Sequence, residues 1–315
     1  MKGIGILLVI IGHLAHAYGF LIPIIYTFHM PLFFIVSGYF YKQKSPVELF
    51  KRDFRLLIVS YFLFSLLQVM YGFAISIIQH KPEKFYYWLD GLLYAGTPSG
   101  GAVGPLWFLL AMFWYRQIYN LNVNISKMEG YSLIIIITVL FVAVVELVPL
   151  DYNYACFTVG LSCMLFYLIG HQVKRINVRM NHYFIFLLMV VGCLCVYGSL
   201  QGIDMRIMKY NCIPVNILAA TSITYLIYLV SSGLKAHPTV GVHIAWLGRM
   251  SLVVLCIHAL MFSIVPFDRV ILVVAPQMSD WLLNGSITLL HIIISILFCK
   301  CAERIMILRQ IFSLN

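Results

Sequence analysis

Charged residues are scarce in this chain. Asp, Glu, Lys and Arg make up 10% of its 315 residues, whereas soluble globular domains carry about 25%. No polar stretch is long enough to form a soluble domain, which excludes the two soluble domains that the length alone would suggest. Hydrophobic residues reach 62% and the mean hydropathy is +0.95. The composition therefore predicts an all-α, polytopic membrane protein with one domain over residues 1–315.

Acidic residues are the scarcer charged class, with 11 of them against 21 basic residues and a net charge of +10. An excess of positive charge can indicate binding to nucleic acid. Here most cations fall in the segments between apolar runs, which is typical of the charge asymmetry of membrane proteins. We therefore expect the lipid bilayer as a partner and no nucleic acid.

Cysteine spacing gives no sign of a metal site or of a disulfide framework. The 8 cysteines lie within or at the edges of apolar runs. Two pairs are spaced C-x-C, at Cys193/Cys195 and Cys299/Cys301, and neither has a partner pair at zinc spacing. We expect buried, apolar thiols.

Ten apolar runs are long enough to cross a bilayer, which takes about 20 residues as a helix. Their length and the lack of polar–apolar alternation favour helices over the strands of a barrel. The predicted spans are 4–20, 27–41, 54–79, 104–120, 131–149, 155–172, 183–200, 212–232, 250–265 and 283–302.

The loop charges predict the orientation of these spans. If the N-terminus lies in the cytoplasm, most of the 21 lysines and arginines fall in inner segments, as the positive-inside rule requires. The exceptions are Lys81, Lys84, Arg206, Lys209 and Arg269. Both termini are therefore predicted to be cytoplasmic. The segment AHA at 15–17 imitates a signal-peptide cleavage site, but the single preceding charge and the many later spans favour an uncleaved first span.

The longest outer connection, residues 80–103, carries the aromatic run FYYW. Aromatic residues of this kind are typical of the membrane interface. A lid over a substrate on the outer side is the alternative interpretation.

The first two spans contain His13, His16 and His29, although ionisable groups at membrane depth are costly and usually functional. Lys2 and His13 are eleven residues apart, which places them on one helix face about 16 Å apart along the axis. Lys2 is then at the cytoplasmic surface and His13 near mid-membrane. A neutral imidazole accepts a proton near pH 7, so His13 is a candidate general base. A structural hydrogen bond between helices is the alternative for any single histidine.

Two further residues bear on the role of His13. The first three spans hold no carboxylate to orient it, and the nearest candidate along the chain is Glu146 in the fifth span. His29 lies near the outer start of the second span, where it either binds an acceptor or holds the first two spans together.

Basic and polar residues in later segments are further candidates. Arg52 and Arg55 in KRDFR present two guanidinium groups on one side of a helix start, a pattern that suits phosphate binding. Positive-inside anchoring is the alternative for both. Trp107 opens the fourth span, where an interface anchor is usual, and Ser251 and His258 share a face of the ninth span.

Together these motifs resemble the acyltransferase family 3 of integral membrane proteins, particularly its branch similar to fucose 4-O-acetylase. The resemblance rests on KGIGILLVIIGH, FHMPLFFIVSGYFYK, RDFR, GPLWFLLAMFW and LGRMSLVVLCIH. It implies that His13 takes a proton from an acceptor hydroxyl that attacks a thioester, and that Arg52 and Arg55, with Lys2, bind acyl-CoA. His16, His29, Trp107, Glu146, Ser251 and His258 would line the path.

The function implied by the resemblance is transfer of an acetyl group from acetyl-CoA to a cell-surface polysaccharide or a lipid-linked glycan. Acetyl-CoA would be a co-substrate, with no permanently bound cofactor or metal, and the location would be a bacterial inner membrane. Two other classes remain open: a transporter or flippase for a lipid-linked sugar, and a non-enzymatic membrane partner. Buried histidines suit proton-coupled transport too, but the sequence shows no inverted repeat.

Overall fold

The computed structural model describes residues 1–14, 19, 21–95, 104–126, 156–176, 187, 190, 204–208, 210 and 213–314. The regular elements of this part of the chain are helices. The α-helices are α1 (Lys2–Leu14), α2 (Leu21–Tyr39), α3 (Pro46–Asp53), α4 (Val59–Ile78), α5 (Pro82–Tyr94), α6 (Trp107–Ser126), α7 (Phe157–Ile176), α8 (Ile213–Gly233), α9 (Pro238–Arg249), α10 (Ser251–Ile264), α11 (Phe267–Val274), α12 (Asp280–Arg304) and α13 (Met306–Phe312).

Four helices in the described ranges are long and apolar enough to cross a membrane: α2, the run Pro46–Ile78 that ends with α4, α8 and α12. The pair α9 and α10, bent by 69° between Arg249 and Ser251, would make a fifth. The all-α membrane class predicted from the sequence is therefore confirmed. The ten-span count and the orientation stay predictions. The predicted span 131–149, and nearly all of 183–200, lie outside the described residues.

Two breaks in the helices shape the region around α1. Between α3 and α4 the chain widens into a π-helical segment, Phe54–Ile58, a feature that is frequent at functional sites. The bend between α9 and α10 falls at Met250, one residue before Ser251. Helix α1 packs against α2, α9, α10 and α12. The bend between α9 and α10 therefore lies beside the first two predicted spans.

The predicted outer connection 80–103 contains the helix α5, which begins at Pro82, where the missing backbone N–H costs nothing. Its aromatic run is split between two environments, since Trp88 is buried against Gly72 of α4 while Tyr86 and Tyr87 are exposed. The exposed pair suits the interfacial belt predicted from the sequence.

The cysteine prediction is confirmed for four thiols and wrong for one. Cys156, Cys163, Cys256 and Cys299 are free and buried, whereas Cys301 is free and exposed. Positions two apart on an α-helix point in nearly opposite directions, so the C-x-C pair of α12 cannot bury both thiols against one neighbour. The remaining three cysteines lie outside the described residues.

Glycine permits the closest helix contact in the core, between α2 and α7. A Cβ atom on Gly38 would lie 1.9 Å from the carbonyl oxygen of Tyr167, and one on Gly170 would lie 1.9 Å from that of Ile35. Small residues at such crossings let two backbones approach in a membrane, where packing rather than water drives association. This reciprocal contact fixes α2, which carries His29, against α7.

We predict that Gly38→Ala lowers the free energy of unfolding by about 1–3 kcal/mol, because the added methyl group forces two backbones apart. Thermal unfolding of the purified protein in detergent, followed by tryptophan fluorescence, measures the change. The matched control is Gly233→Ala, where a Cβ atom would meet no described atom within 4 Å. Equal unfolding midpoints for the two variants would contradict the role given to the contact.

Candidate active site

Four histidines from four helices form a cluster: His13 of α1, His29 of α2, His258 of α10 and His291 of α12. The ring centroid of His13 lies 5.5 Å from that of His258 and 6.3 Å from that of His29. The ring centroids of His258 and His291 are 5.3 Å apart. Three of the rings are buried, while His13 is half-buried and so remains accessible to a ligand. The structure thus brings together three histidines singled out in the sequence and adds His291.

Hydrogen bonds orient the rings of the first two spans. The Tyr26 hydroxyl lies 3.2 Å from Nδ1 of His13. Nδ1 of His29 lies 2.7 Å from the carbonyl oxygen of Ile25, and because a carbonyl only accepts, this nitrogen carries a proton and donates it. A neutral His29 therefore presents Nε2 as an acceptor.

His258 and His291 form a second pair, deep in the cluster. Their Nδ1 atoms lie 3.3 Å apart, so one nitrogen donates a proton and the other accepts it. Nε2 of His258 is buried and has no hydrogen-bond partner among the described residues. An orphaned polar atom of this kind is costly, and it marks a position where a hydroxyl or water can bind.

A cavity of about 990 Å³ adjoins the cluster. Val9 of α1, Phe33 of α2 and Leu255 of α10 contribute to its wall. Each lies one helical turn, three or four residues, from the cluster histidine of its own helix. The histidines are therefore located where these three helices leave the cavity.

Three cationic side chains line the same cavity: Lys2 at the start of α1, Arg116 of α6 and Arg249 at the end of α9. The amino group of Met1 lies in the same lining and donates to the hydroxyl of Ser231 at 2.6 Å. The described lining contains no carboxylate, and its other polar side chains are Ser37, Tyr228, Ser231, Ser232 and Ser251. The walls are otherwise mostly apolar. The arrangement suits a long ligand with an anionic part, and it gives the cavity a charged region and, at the histidines, a region able to transfer protons.

The carboxylate of Asp53 holds Arg116 in place from outside the cavity. Asp53 is 1% exposed and accepts from Nε of Arg116 at 2.7 Å and from a terminal nitrogen at 3.2 Å. Arg52 and Gln117 donate to the same carboxylate at 3.0 and 3.1 Å. A carboxylate buried this deeply requires such partners, because removing a charge from water is expensive.

The arginine pair predicted to bind phosphates lies outside the cavity wall. Arg52 points to Asp53, and Arg55 is exposed and donates to the hydroxyl of Ser313 at 3.0 Å. The two residues that follow them, Leu56 and Leu57, do line the cavity. The chain therefore reaches the cavity directly after the motif, through two leucines.

The remaining predicted residues have three different outcomes. Ser251 lines the cavity at the start of α10, whereas Trp107 is buried in the core beside Phe108, with ring centroids 6.2 Å apart. His16 and Glu146 lie outside the described residues.

Sequence reasoning missed His291, Tyr26, Arg116 and Arg249. The rule that marked His13 applies equally to His291, which stands alone within the apolar run ITLLHIIISIL. The two arginines follow the positive-inside pattern, and only the folded chain shows that both face one cavity. Among the described residues, no group of three or more His, Cys, Asp or Glu side chains is arranged to hold a metal ion.

Comparison with known proteins gives one match. The model of the family acyltransferase 3, described as an acyltransferase domain, matches residues 1–300, which include the cluster and every cavity-lining residue except Phe312. Searches of curated proteins and of solved structures give no significant match.

We predict that Asp53→Asn destabilises the fold by about 3 kcal/mol, because it leaves the inward-facing Arg116 without its counter-charge while preserving the shape of the side chain. Thermal unfolding in detergent measures the loss. Asp268→Asn, an exposed position on α11, is the control and should unfold like the wild type. Unchanged stability of Asp53→Asn would show that the carboxylate does not hold Arg116.

Proposed function

The chain belongs to the acyltransferase family 3, and from this we propose that it transfers an acetyl group from acetyl-CoA to a hydroxyl of a cell-surface polysaccharide or lipid-linked glycan. Family membership and the apolar helices support a membrane acyltransferase in general. The observation that carries the proposal is the position of His13, a half-buried imidazole beside a large cavity and within a cluster of further histidines. The resemblance of the sequence motifs to the fucose 4-O-acetylase branch supports a sugar as acceptor.

In the proposed reaction His13 acts as the general base. The acceptor hydroxyl gives its proton to Nε2 of His13 while its oxygen attacks the thioester carbonyl carbon. The tetrahedral intermediate then collapses, the carbon–sulfur bond breaks, and the departing thiolate takes the proton from Nε2 of His13, which forms free CoA and returns the imidazole to its neutral state. For Nε2 to accept, the ring must carry its proton on Nδ1 and donate it to the oxygen of Tyr26, which lies 3.2 Å away. Tyr26 is thus a positioning residue.

The cavity is proposed to hold the donor. Its volume of about 990 Å³ is at the top of the usual range for ligand sites, which suits a molecule as long as acyl-CoA. The predicted orientation places Lys2 and the cavity on the cytoplasmic side, where acyl-CoA is made. The donor would enter there and present its thioester towards His13.

The acceptor is proposed to reach the cluster from the other side. Nε2 of His29 offers an acceptor for a sugar hydroxyl close to His13. The unpaired Nε2 of His258 offers a second hydrogen-bonding position, as an acceptor when Nδ1 of this ring donates to His291 and as a donor when it accepts. Such contacts would hold the reactive hydroxyl against the base, and correct positioning of this kind supplies much of the rate in bimolecular transfers.

We predict that His13→Ala lowers acetyl transfer by about a hundredfold or more, the usual effect of losing a general base. The measurement is transfer of radiolabelled acetyl from acetyl-CoA to the glycans of isolated membranes, at matched expression. The control is His243→Ala, an exposed histidine of α9, which should keep wild-type transfer. Unchanged transfer in His13→Ala would overturn the proposed mechanism.

The same assay separates the proposed enzyme from a flippase for a lipid-linked sugar. The enzyme releases one free CoA for each acetyl group that reaches a glycan, and it does so with purified protein and added acceptor extract. A flippase moves the sugar without cleaving a thioester. Absence of free CoA, together with translocation of a labelled lipid-linked sugar, would favour the flippase.

We predict that Tyr26→Phe slows acetyl transfer by about tenfold to a hundredfold, since partners that fix a functional imidazole contribute on that scale. Because the hydroxyl also sets which nitrogen of His13 carries the proton, the pH dependence of transfer should shift as well. Tyr86→Phe, at an exposed position of α5, is the control. A slower reaction with an unchanged pH profile would assign Tyr26 a packing role only.

A further inference from the structure

We infer that Lys2, Arg116 and Arg249 form the binding site for the phosphate groups of the acyl donor. This rests on the proposed function, since it names the residues of the cavity that recognise the anionic part of acyl-CoA. The sequence-based prediction gave this role to Arg52 and Arg55 together with Lys2, so the structure and the sequence differ on two of the three cations.

The first observation is that three cations from distant parts of the chain converge on one cavity. They come from the start of α1, the middle of α6 and the end of α9, and all three line the same space. Arginine presents paired donors that match phosphate oxygens, and lysine adds a compact positive charge. Two arginines and one lysine are therefore a suitable set for a ligand with more than one phosphate.

The second observation is the balance of charge around the cavity. In the described part of the chain neither Lys2 nor Arg249 has an ion-pair partner, and no carboxylate contributes to the lining. Only Arg116 has a counter-ion, and that carboxylate, Asp53, is shared with Arg52. The region thus carries a net positive charge beside apolar walls, where an anionic ligand gains more than it would at a fully solvated surface.

The third observation concerns the distance from the cations to the cluster. Lys2 and His13 lie on one face of α1, separated by about 16 Å along the helix axis. Ile6 and Val9, which lie between them on that face, line the cavity. A donor with its phosphates at Lys2 would therefore extend its uncharged arm along α1 and bring the thioester to the histidines.

The arginines of the RDFR motif have a different part in this arrangement. Arg52 shares the carboxylate of Asp53 with Arg116, and Arg55 contacts Ser313 near the end of α13. Both contacts are to protein groups on the far side of the cavity wall. Arg52 thus supports the wall through Asp53, whereas Arg55 contacts only Ser313, and neither side chain needs to touch the phosphates.

Binding of three probes to the purified protein in detergent tests the inference: acetyl-CoA, dephospho-CoA, which lacks the 3′-phosphate, and S-acetylpantetheine, which lacks all phosphates. Lys2→Gln and Arg249→Gln should each weaken acetyl-CoA binding by about tenfold, the value of one charge-assisted contact. Affinity for S-acetylpantetheine should stay at the wild-type value. Raising the salt concentration should weaken acetyl-CoA binding less in these variants than in the wild type.

Two controls accompany these variants. Arg269→Gln, an exposed arginine of α11, should bind acetyl-CoA like the wild type. Arg55→Gln should also keep wild-type affinity, because its guanidinium contacts Ser313 outside the cavity. Arg116 is left intact because losing its pair with Asp53 would disturb the fold, so Lys2 and Arg249 carry the test.

Three results would each contradict a different part of this inference or of the proposed function. If Lys2→Gln and Arg249→Gln bind acetyl-CoA as tightly as the wild type, the phosphate site lies elsewhere. If Arg55→Gln weakens binding while Arg249→Gln does not, the sequence-based assignment is correct and the inference is wrong. If the wild type binds none of the probes, the proposed donor fails, which is a failure of the proposed function and not of the phosphate site alone.

Discussion

The cost of placing ionisable groups in an apolar medium governs this structure, because each buried group needs a partner, a neutral state or a ligand. Asp53 meets the requirement with Arg116 and Arg52, which donate to its carboxylate at 2.7 and 3.0 Å. The clustered histidines meet it as rings that can be neutral and bonded to one another. Lys2 and Arg249 escape the requirement because they are exposed to the open cavity that they line, where an anionic ligand can bind them.

The sequence predicted the class of fold and the core of the cluster, since both depend on local rules. Long apolar runs indicate helices wherever they occur, and a histidine inside such a run is conspicuous whatever it contacts. His13 and His29 were found in this way, His258 was named because it shares a helix face with Ser251, and His291 satisfies the same rule as the first two. Hydropathy does not give the bends, so the π-helical segment at Phe54–Ile58 and the 69° turn before Ser251 needed the structure.

The partners of charged residues could not be predicted, since they depend on contacts across long stretches of chain. Asp53 and Arg116 are 63 residues apart, and Arg55 and Ser313 are 258 apart. From sequence alone, two arginines at a helix start suit a phosphate as well as they suit a neighbouring carboxylate or hydroxyl. The sequence-based prediction assigned both arginines to acyl-CoA, whereas in the structure Arg52 donates to Asp53 and Arg55 donates to Ser313.

Helix direction explains why cations line one end of the cavity and the histidine cluster lies beyond the other end. On α1 the cavity residue Val9 precedes His13, and on α10 Leu255 precedes His258, whereas on α2 Phe33 follows His29. Thus α1 and α10 run from the cavity to the cluster and α2 runs back, as the predicted topology requires of the first, ninth and second spans. Lys2 precedes His13 on α1, and Arg249 ends α9 just before α10, which carries His258. Both cations then lie at the end of the spans where the positive-inside rule places positive charge. The same rule that orients the spans thereby supplies the charge for an anionic donor.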